Sequence, residues 1–328
     1  MTLAQLQTYI VGVLQGYFPN KAVLDKLSES ENGTLLFNGQ QISGETLVTD
    51  AELQQAIEDT LTQLGITEEE IVANVATFAA LQTAIANGAN VITLTKPLTI
   101  TGEDTLRADA PIKIIANDMT DAFTVSGGTL TLGENVSVLS NTAVLWAKEG
   151  GTIIVDGANI KSSDTQLCIA TVDVGSEMIV KNGNVVSTGN SVAAVLGQNA
   201  KMTIQGGLVE TTAPVAESGI AWCAIYAGQG GIAEVTGGIV QSTQGHGLVA
   251  VTNGTVKVSG GTVDSVLSHE AKTALAEISG GTIGSVVAED GASAVITGGT
   301  FATDPSAYVS DDYTVLNSGD SYSVIKNA

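Results

Sequence analysis

Aromatic residues, proline and positive charge are all scarce in this chain. Of its 328 residues, Phe, Trp and Tyr make up 4%, proline occurs 5 times, and 12 lysines and arginines stand against 34 carboxylates. This composition is typical neither of an ordinary enzyme nor of a disordered tail. The 38 glycines, with abundant Val, Ile, Ala and Thr, indicate a repetitive β protein instead.

The shortage of positive charge also narrows the possible partners. A formal net charge of -22 repels phosphate backbones and anionic lipid, so we expect neither nucleic acid nor a membrane as a partner. No apolar run reaches the roughly 18 residues of a membrane span, and the first residues lack the pattern of a secretory signal. We therefore expect a soluble chain that stays in the cell or leaves it by lysis.

One motif recurs eight times along the chain: an aliphatic anchor, one residue, a Gly-Gly-like pair, another residue and a second aliphatic. The clearest copies read VSGGTL, VTGGIV, VSGGTV, ISGGTI and ITGGTF. The anchors are Val125, Val155, Val180, Ile204, Val235, Val258, Ile278 and Ile296. The second aliphatics are Leu130, Ile160, Val185, Val209, Val240, Val263, Ile283 and Phe301.

The spacing of the motif predicts the fold. Successive anchors are 30, 25, 24, 31, 23, 20 and 18 residues apart, which fits one solenoid turn each, with loops of varying length. We expect a mainly β fold, a right-handed parallel β-helix, whose glycines turn a corner with a positive φ at one of each pair. A hairpin meander would not keep one motif in phase while its spacing shrinks.

Three segments follow from this pattern. The β-helix occupies residues 71–303 and begins with an amphipathic capping helix that ends at Gly88. Residues 304–328 predict a capping hairpin that turns between Asn317 and Asp320. Residues 1–70 form a small α-helical module for attachment or oligomerisation, with two capping boxes. Its apolar stripe packs on its own domain or forms a short coiled coil, and consists of Leu53, Ile57, Leu61 and Leu64.

The strand before each anchor is apolar on both of its sides. At a fixed number of residues before the anchor, five coils have an apolar residue whose side chain we predict to point into the core: Leu145, Ala170, Ala194, Ile225 and Leu248. The outward set is Trp146, Thr171, Val195, Tyr226 and Val249. Such an outward stripe indicates a cover. The candidates are further copies of the chain, with a trimer favoured, an N-terminal segment, or a host glycan stacked on Trp146 and Tyr226. Alternatively, loops cover both sides of these strands.

The two cysteines are predicted to be buried free thiols. Cys168 and Cys223 each fall twelve residues before an anchor, so they share a column with Val192 between them. Two coils separate them by roughly 9.6 Å, whereas a disulfide needs Cα atoms within about 7 Å.

No catalytic residue, metal site or cofactor is predicted. His246 and His269 are interpreted as isolated loop histidines, and Lys148 and Asp173 share a column as a surface ion pair. Polysaccharide lyases and hydrolases with this solenoid need clustered carboxylates or a base. Arg107, the only arginine, precedes the first motif and does not suit a cleft.

Two stretches resemble known families. The sequence VATFAALQTAIANGANVITL, with the coils after it, resembles the pectate-lyase-like solenoid superfamily, which implies the fold and not an activity. The ending GGTFATDPSAYVSDDYTV is similar to surface and adhesin-type proteins of gut bacteria.

A third stretch, YFPNKAVLDKLSESENGTLLFNGQQI at residues 17–42, resembles the N-terminal segment of fibre and other virion structural proteins in phages of gut bacteria. The resemblance implies attachment to capsid or other virion proteins and a distal rod facing the host. The candidate attachment residues are Tyr17, Phe18, Leu24, Leu27, Leu36 and Phe37.

The leading hypothesis is thus a non-enzymatic phage structural protein of the virion, a head fibre or decoration protein in preference to a tail fibre. A polysaccharide-degrading tailspike and a bacterial surface adhesin are the alternatives. The adhesin would normally carry an export signal.

Overall fold

A computed structural model describes residues 71–215, 222–269 and 273–327, and the backbone of three short strands near the N-terminus. The chain divides into two compact units, Met1–Ile71 and Val72–Ala328. The first contains an antiparallel sheet of β1 (Leu27–Glu29), β2 (Leu35–Phe37) and β3 (Gln40–Gln41), with Leu27 opposite Phe37.

That small sheet was not predicted, and it contains three of the six candidate attachment residues, Leu27, Leu36 and Phe37. The other three lie outside the described residues, as does the predicted helical stripe of this module; they are Tyr17, Phe18 and Leu24.

The second unit opens with β4 (Val72–Val75) and the predicted capping helix, α1 (Phe78–Ala86). The Thr77 hydroxyl caps α1 by accepting a hydrogen bond from Ala80 N at 3.1 Å. The helix ends before Gly88, whose φ of 85° is one that few other residues adopt. The fully buried Leu81 anchors α1 on the core.

The rest of this unit is a parallel β-solenoid of about nine turns with three strand-bearing faces, so the predicted β-solenoid is confirmed. Face A contains β7 (Glu103–Leu106), β10 (Thr129–Gly133), β17 (Lys201–Ile204), β20 (Ile232–Val235), β23 (Thr255–Val258) and the starts of β13 (Thr152–Ser162), β15 (Glu177–Ser187), β25 (Leu275–Ala288) and β26 (Ser293–Phe301).

Face B follows Face A in each turn. It contains β4, β5 (Val91–Leu94), β8 (Ile112–Ile115), β11 (Val136–Ser140), β18 (Leu208–Thr211), β21 (Ile239–Ser242), the start of β24 (Thr262–Ser268) and the later parts of β13, β15, β25 and β26.

Face C completes the turn. It contains β6 (Leu98–Ile100), β9 (Phe123–Ser126), β12 (Leu145–Lys148), β14 (Ala170–Val172), β16 (Ala193–Leu196), β19 (Ile225–Gly228), β22 (Leu248–Ala250) and the ends of β24 and β25.

Seven of the eight predicted anchors form one buried ladder on Face A, from Val155 to Ile296. Val125 is the exception, because it lies on Face C opposite Ala147. Leu132 takes the anchor position of that coil, opposite Val155. The second aliphatics show the same shift, since Val138 and not Leu130 stands opposite Ile160 on Face B. The first Gly-Gly pair turns the corner from C to A, and the later pairs turn the corner from A to B.

The two glycines of each later pair have different roles. Gly238, the second of its pair, has a φ of 73°, and the same left-handed conformation recurs at Gly207, Gly261, Gly281 and Gly299. Gly237, the first, lies against the preceding coil: a Cβ there would be 2.2 Å from Gln205 O. The predicted positive φ is confirmed, and close packing of coil on coil explains the other glycine.

A ladder of hydroxyl side chains, which sequence reasoning missed, ends the Face B strands; it is buried in four coils and half-buried at Ser242. Its members are Ser140, Ser162, Ser187, Thr211 and Ser242, each opposite the next. Thr211 Oγ1 donates to Asn190 O at 2.6 Å and accepts from Ala213 N at 3.2 Å. Each hydroxyl hydrogen-bonds at least one backbone group where the chain leaves Face B.

The predicted C-terminal hairpin closes the last coil. It consists of β27 (Tyr313–Asn317) and β28 (Tyr322–Lys326), after a 3-10 turn at Ser306–Tyr308. β28 pairs antiparallel with the end of β26, with Phe301 opposite Tyr322. This pairing covers the last Face B strand edge, as a cap should.

Candidate functional site

Face C carries a continuous outward column that crosses seven coils. The register places these residues opposite one another in sequence, and we name them the Face C stripe: Trp146, Thr171, Ala194, Tyr226, Val249, Leu267 and Val287. The column is about 29 Å long at the spacing of adjacent strands. Four of the predicted members are in it, and Leu267 and Val287 extend it.

Val195 was wrongly assigned to this stripe. It is fully buried, points inward opposite Ala227, and leaves the outward position to Ala194. Lys201 comes eight positions after Ala193 in the sequence. In the coils below and above, the equivalent residues are only seven positions apart. The extra residue lies in the corner, and since side chains alternate along a strand it reverses the assignment.

The stripe is apolar but only partly accessible. Ala194 and Val249 are 3% and 9% exposed, so the rest of the chain already covers its middle, in line with the alternative of intrachain cover. The side chains of Trp146, Tyr226, Leu267 and Val287 are half-buried. The outer side of Face A differs, because it carries the ion pairs Lys201–Glu234 at 2.8 Å and Lys257–Glu277 at 2.7 Å.

Lys148 belongs to the lower end of the stripe and not to an ion pair. Its Nζ lies 4.3 Å from the centroid of the Trp146 ring, a cation–π geometry. The predicted pair with Asp173 is wrong, because Lys148 Nζ lies over the Trp146 ring, and Asp173 Oδ1 accepts from Val174 N at 2.9 Å. Burial raises the pKa of nearby Asp121, while Lys148 acts to lower it.

The two cysteines lie at the upstream edge of Face C. The predicted free thiols are confirmed, but both residues are half-buried and not fully buried as predicted. Ser191, and not Val192, lies between them, with its Oγ 3.6 Å from Cys223 Sγ; the same corner residue shifts this column. Burial raises the pKa of Cys168 to about 12, although a hydrogen bond from the Tyr226 hydroxyl lowers it. Burial likewise raises the pKa of Cys223 to about 11.

These pKa values predict inert thiols in the folded chain. A thiol of ordinary pKa near 8.5 has at least about 300 times more thiolate at neutral pH, so maleimide should label the folded protein that much more slowly than the unfolded one. The measurement is mass spectrometry of timed labelling at neutral pH, with the same chain in denaturant as the control. Rapid labelling of either cysteine in the folded protein would contradict the raised pKa of that thiol.

Arg107 and the histidines have structural contacts. The Arg107 side chain crosses Gly133, where a Cβ would be 2.3 Å from Arg107 Cγ, and reaches Asp156 Oδ2 at 3.1 Å. Arg107 thus ties three successive coils together. His246 Nδ1 lies 3.0 Å from Ser265 Oγ, and burial lowers the His246 pKa. His269 Nδ1 lies 3.2 Å from Asp290 Oδ2.

Within residues 71–215, 222–269 and 273–327, no three His, Cys, Asp or Glu side chains are grouped so that they could hold a metal ion. In the same part of the chain no helix has both the length and the apolar character needed to cross a membrane. No family model, curated protein or solved structure matches the chain. The Face C stripe is therefore the candidate site that the geometry itself singles out.

Proposed function

We propose that this chain is a non-enzymatic structural protein of a phage particle, a fibre or decoration protein with a head location favoured over a tail one. In this proposal residues 1–70 attach it to capsid or other virion proteins, and the solenoid projects toward the host surface or its glycans. The right-handed sense of the solenoid belongs to the same proposal, supported by the strong general preference of parallel crossovers for that hand.

One observation carries the proposal: the Face C stripe continues from coil to coil instead of ending in a pocket. A small substrate needs a few converging polar groups in a concave site. The stripe leaves apolar side chains partly accessible at both of its ends, Trp146 at one and Leu267 and Val287 at the other. Another copy of the same rod has the matching repeat and could contact both ends at once. We therefore propose a closed homo-oligomer, a trimer, associated through Face C.

Particles propagated with residues 1–70 deleted test the attachment role. Negative-stain images should show particles without the projecting fibre, while the purified deletion protein keeps its β-sheet circular dichroism. Unchanged fibre occupancy on these particles would exclude the attachment role of the N-terminal module. Fibre density that is absent even from unmodified particles of the source phage would exclude a virion location.

A further inference from the structure

The lower end of the solenoid has an unpaired strand edge. On Face A, β7 pairs with β10, and no other strand in the described part of the chain pairs with it. Thr129 N donates to Gly102 O at 2.8 Å, so Gly102, Asp104 and Leu106 direct their peptide groups toward β10. By the same alternation the exposed residues Glu103 and Thr105 present their N–H and C=O groups at the free edge.

A cavity of about 490 Å³ opens beside this edge, between α1 and the turn that follows β7. Its apolar lining includes Ile85, Ala86, Ala108 and Pro111, together with Thr105. Arg107 also contributes to the lining, but its guanidinium reaches Asp156 two coils away. The rest of the lining combines small apolar side chains with the polar Gln82, Asn90 and Asp109. Beside the free peptide groups of the β7 edge, such a mixed surface suits an extended polypeptide strand.

The upper end offers a strand with a matching edge. β27 pairs with β28, and among the described residues no strand pairs with its other side. Asn327 N donates to Asp312 O at 2.8 Å, so every second residue from Asp312 faces β28. Val315 and Asn317 therefore present their peptide groups at the free edge. Each end thus has two residues, at positions i and i+2, whose peptide groups lack strand partners.

Charge and strand direction both permit the two edges to meet. Over residues 94–115 three cations balance three carboxylates, whereas residues 304–327 carry four aspartates and one lysine. A neutral lower end therefore meets an acidic upper end within a chain of net charge -22. β27 is antiparallel to β28, which is antiparallel to β26, so β27 runs in the direction of the coil strands.

We infer that solenoids of this protein stack end to end, with the free edge of β27 in one copy extending Face A of the next copy at Glu103 and Thr105. The contact joins different surfaces of the two copies, and because it stacks them end to end along the rod it adds copies in a row instead of closing a ring. It goes beyond the lateral association proposed for Face C, since it lengthens the rod.

Static light scattering of the full chain, over a wide range of micromolar concentrations, tests this stacking. The weight-average mass should rise by about twofold or more above its low-concentration value, as open-ended association requires. Thr105→Pro removes the free donor and obstructs pairing at an edge that tolerates proline, so the rise should disappear. Thr105→Val keeps the N–H and is the matched control, which should still show the rise.

Two further experiments separate end-to-end stacking from association through Face C. Leu267→Lys places a charge on the half-buried upper part of the Face C stripe, so it should lower the starting mass but leave the concentration-dependent rise. A synthetic peptide of residues 311–318 should bind the β7 edge and reduce the rise in mass. If Thr105→Pro loses its β-sheet circular dichroism, this peptide experiment tests the stacking in its place. A constant mass, equal behaviour of Thr105→Pro and Thr105→Val, or a peptide without effect would overturn the stacking, whatever the fibre occupancy on particles.

Discussion

Gly237→Ala is expected to lower the free energy of unfolding by about 3 kcal/mol or more, at the upper end of the usual cost of overpacking. The new methyl carbon would be 2.2 Å from Gln205 O and 3.1 Å from Gln205 C, both backbone atoms of the preceding coil. Backbone in a paired ladder cannot move aside without lengthening its hydrogen bonds. Denaturant unfolding followed by circular dichroism measures the loss.

Gly102→Ala is the matched control for this prediction. No atom lies within 4 Å of a Cβ built at Gly102, and its φ is not in the left-handed region. Alanine there should be neutral or stabilise the protein by up to about 1 kcal/mol, because it restricts the unfolded chain. Equal unfolding midpoints for the two variants would show that coil-to-coil contact is not what requires glycine at Gly237.

Thr211→Val should cost about 3 kcal/mol, although the two side chains have nearly the same shape. Thr211 is 1% exposed, and its hydroxyl pairs with both Asn190 O and Ala213 N. Valine leaves this acceptor and this donor without their partner, at about 1–3 kcal/mol for each buried group. Thermal and denaturant unfolding of the variant should both show the loss.

Thr131→Val is the control for the hydroxyl ladder. Thr131 lies on the outer side of Face A, where its side chain is half-exposed and water can replace any partner it loses. A surface substitution of this kind usually changes stability by less than about 0.5 kcal/mol. If Thr131→Val and Thr211→Val destabilise the protein equally, the ladder has no special role in joining Face B to Face C.

The large effects expected for Gly237→Ala and Thr211→Val both arise because the coils of one chain pack directly on one another. A solenoid repeats one corner at nearly the same height in every coil, so a change at one coil acts on the backbone of its neighbours. The same repetition aligns the Face C stripe, the thiol column and the free edges at the two ends. The proposed lateral and end-to-end contacts are thus the two ways in which such a rod can meet further copies.

The sequence alone was enough for the architecture and for several of its details. The recurring Gly-Gly corner predicts the solenoid, because the need for glycine at a tight turn is local and appears in each copy. The capping helix before Gly88 and the hairpin around Asn317 follow from equally local signals. The free thiols Cys168 and Cys223 follow from counting coils, which tolerates an error of one residue.

Only the tertiary structure decided which face each motif lies on and which side chains point outward. Val125 carries the same motif as the other anchors but lies on another face, because a Gly-Gly pair can turn either of two corners. One extra corner residue exchanged Val195 for Ala194 on the stripe. Register depends on hydrogen bonds between coils some twenty to thirty residues apart, and local sequence does not contain them. Successive side chains in a strand point in opposite directions. An error of one position therefore leaves the predicted fold unchanged but exchanges the residues predicted to reach the surface for those predicted to be buried.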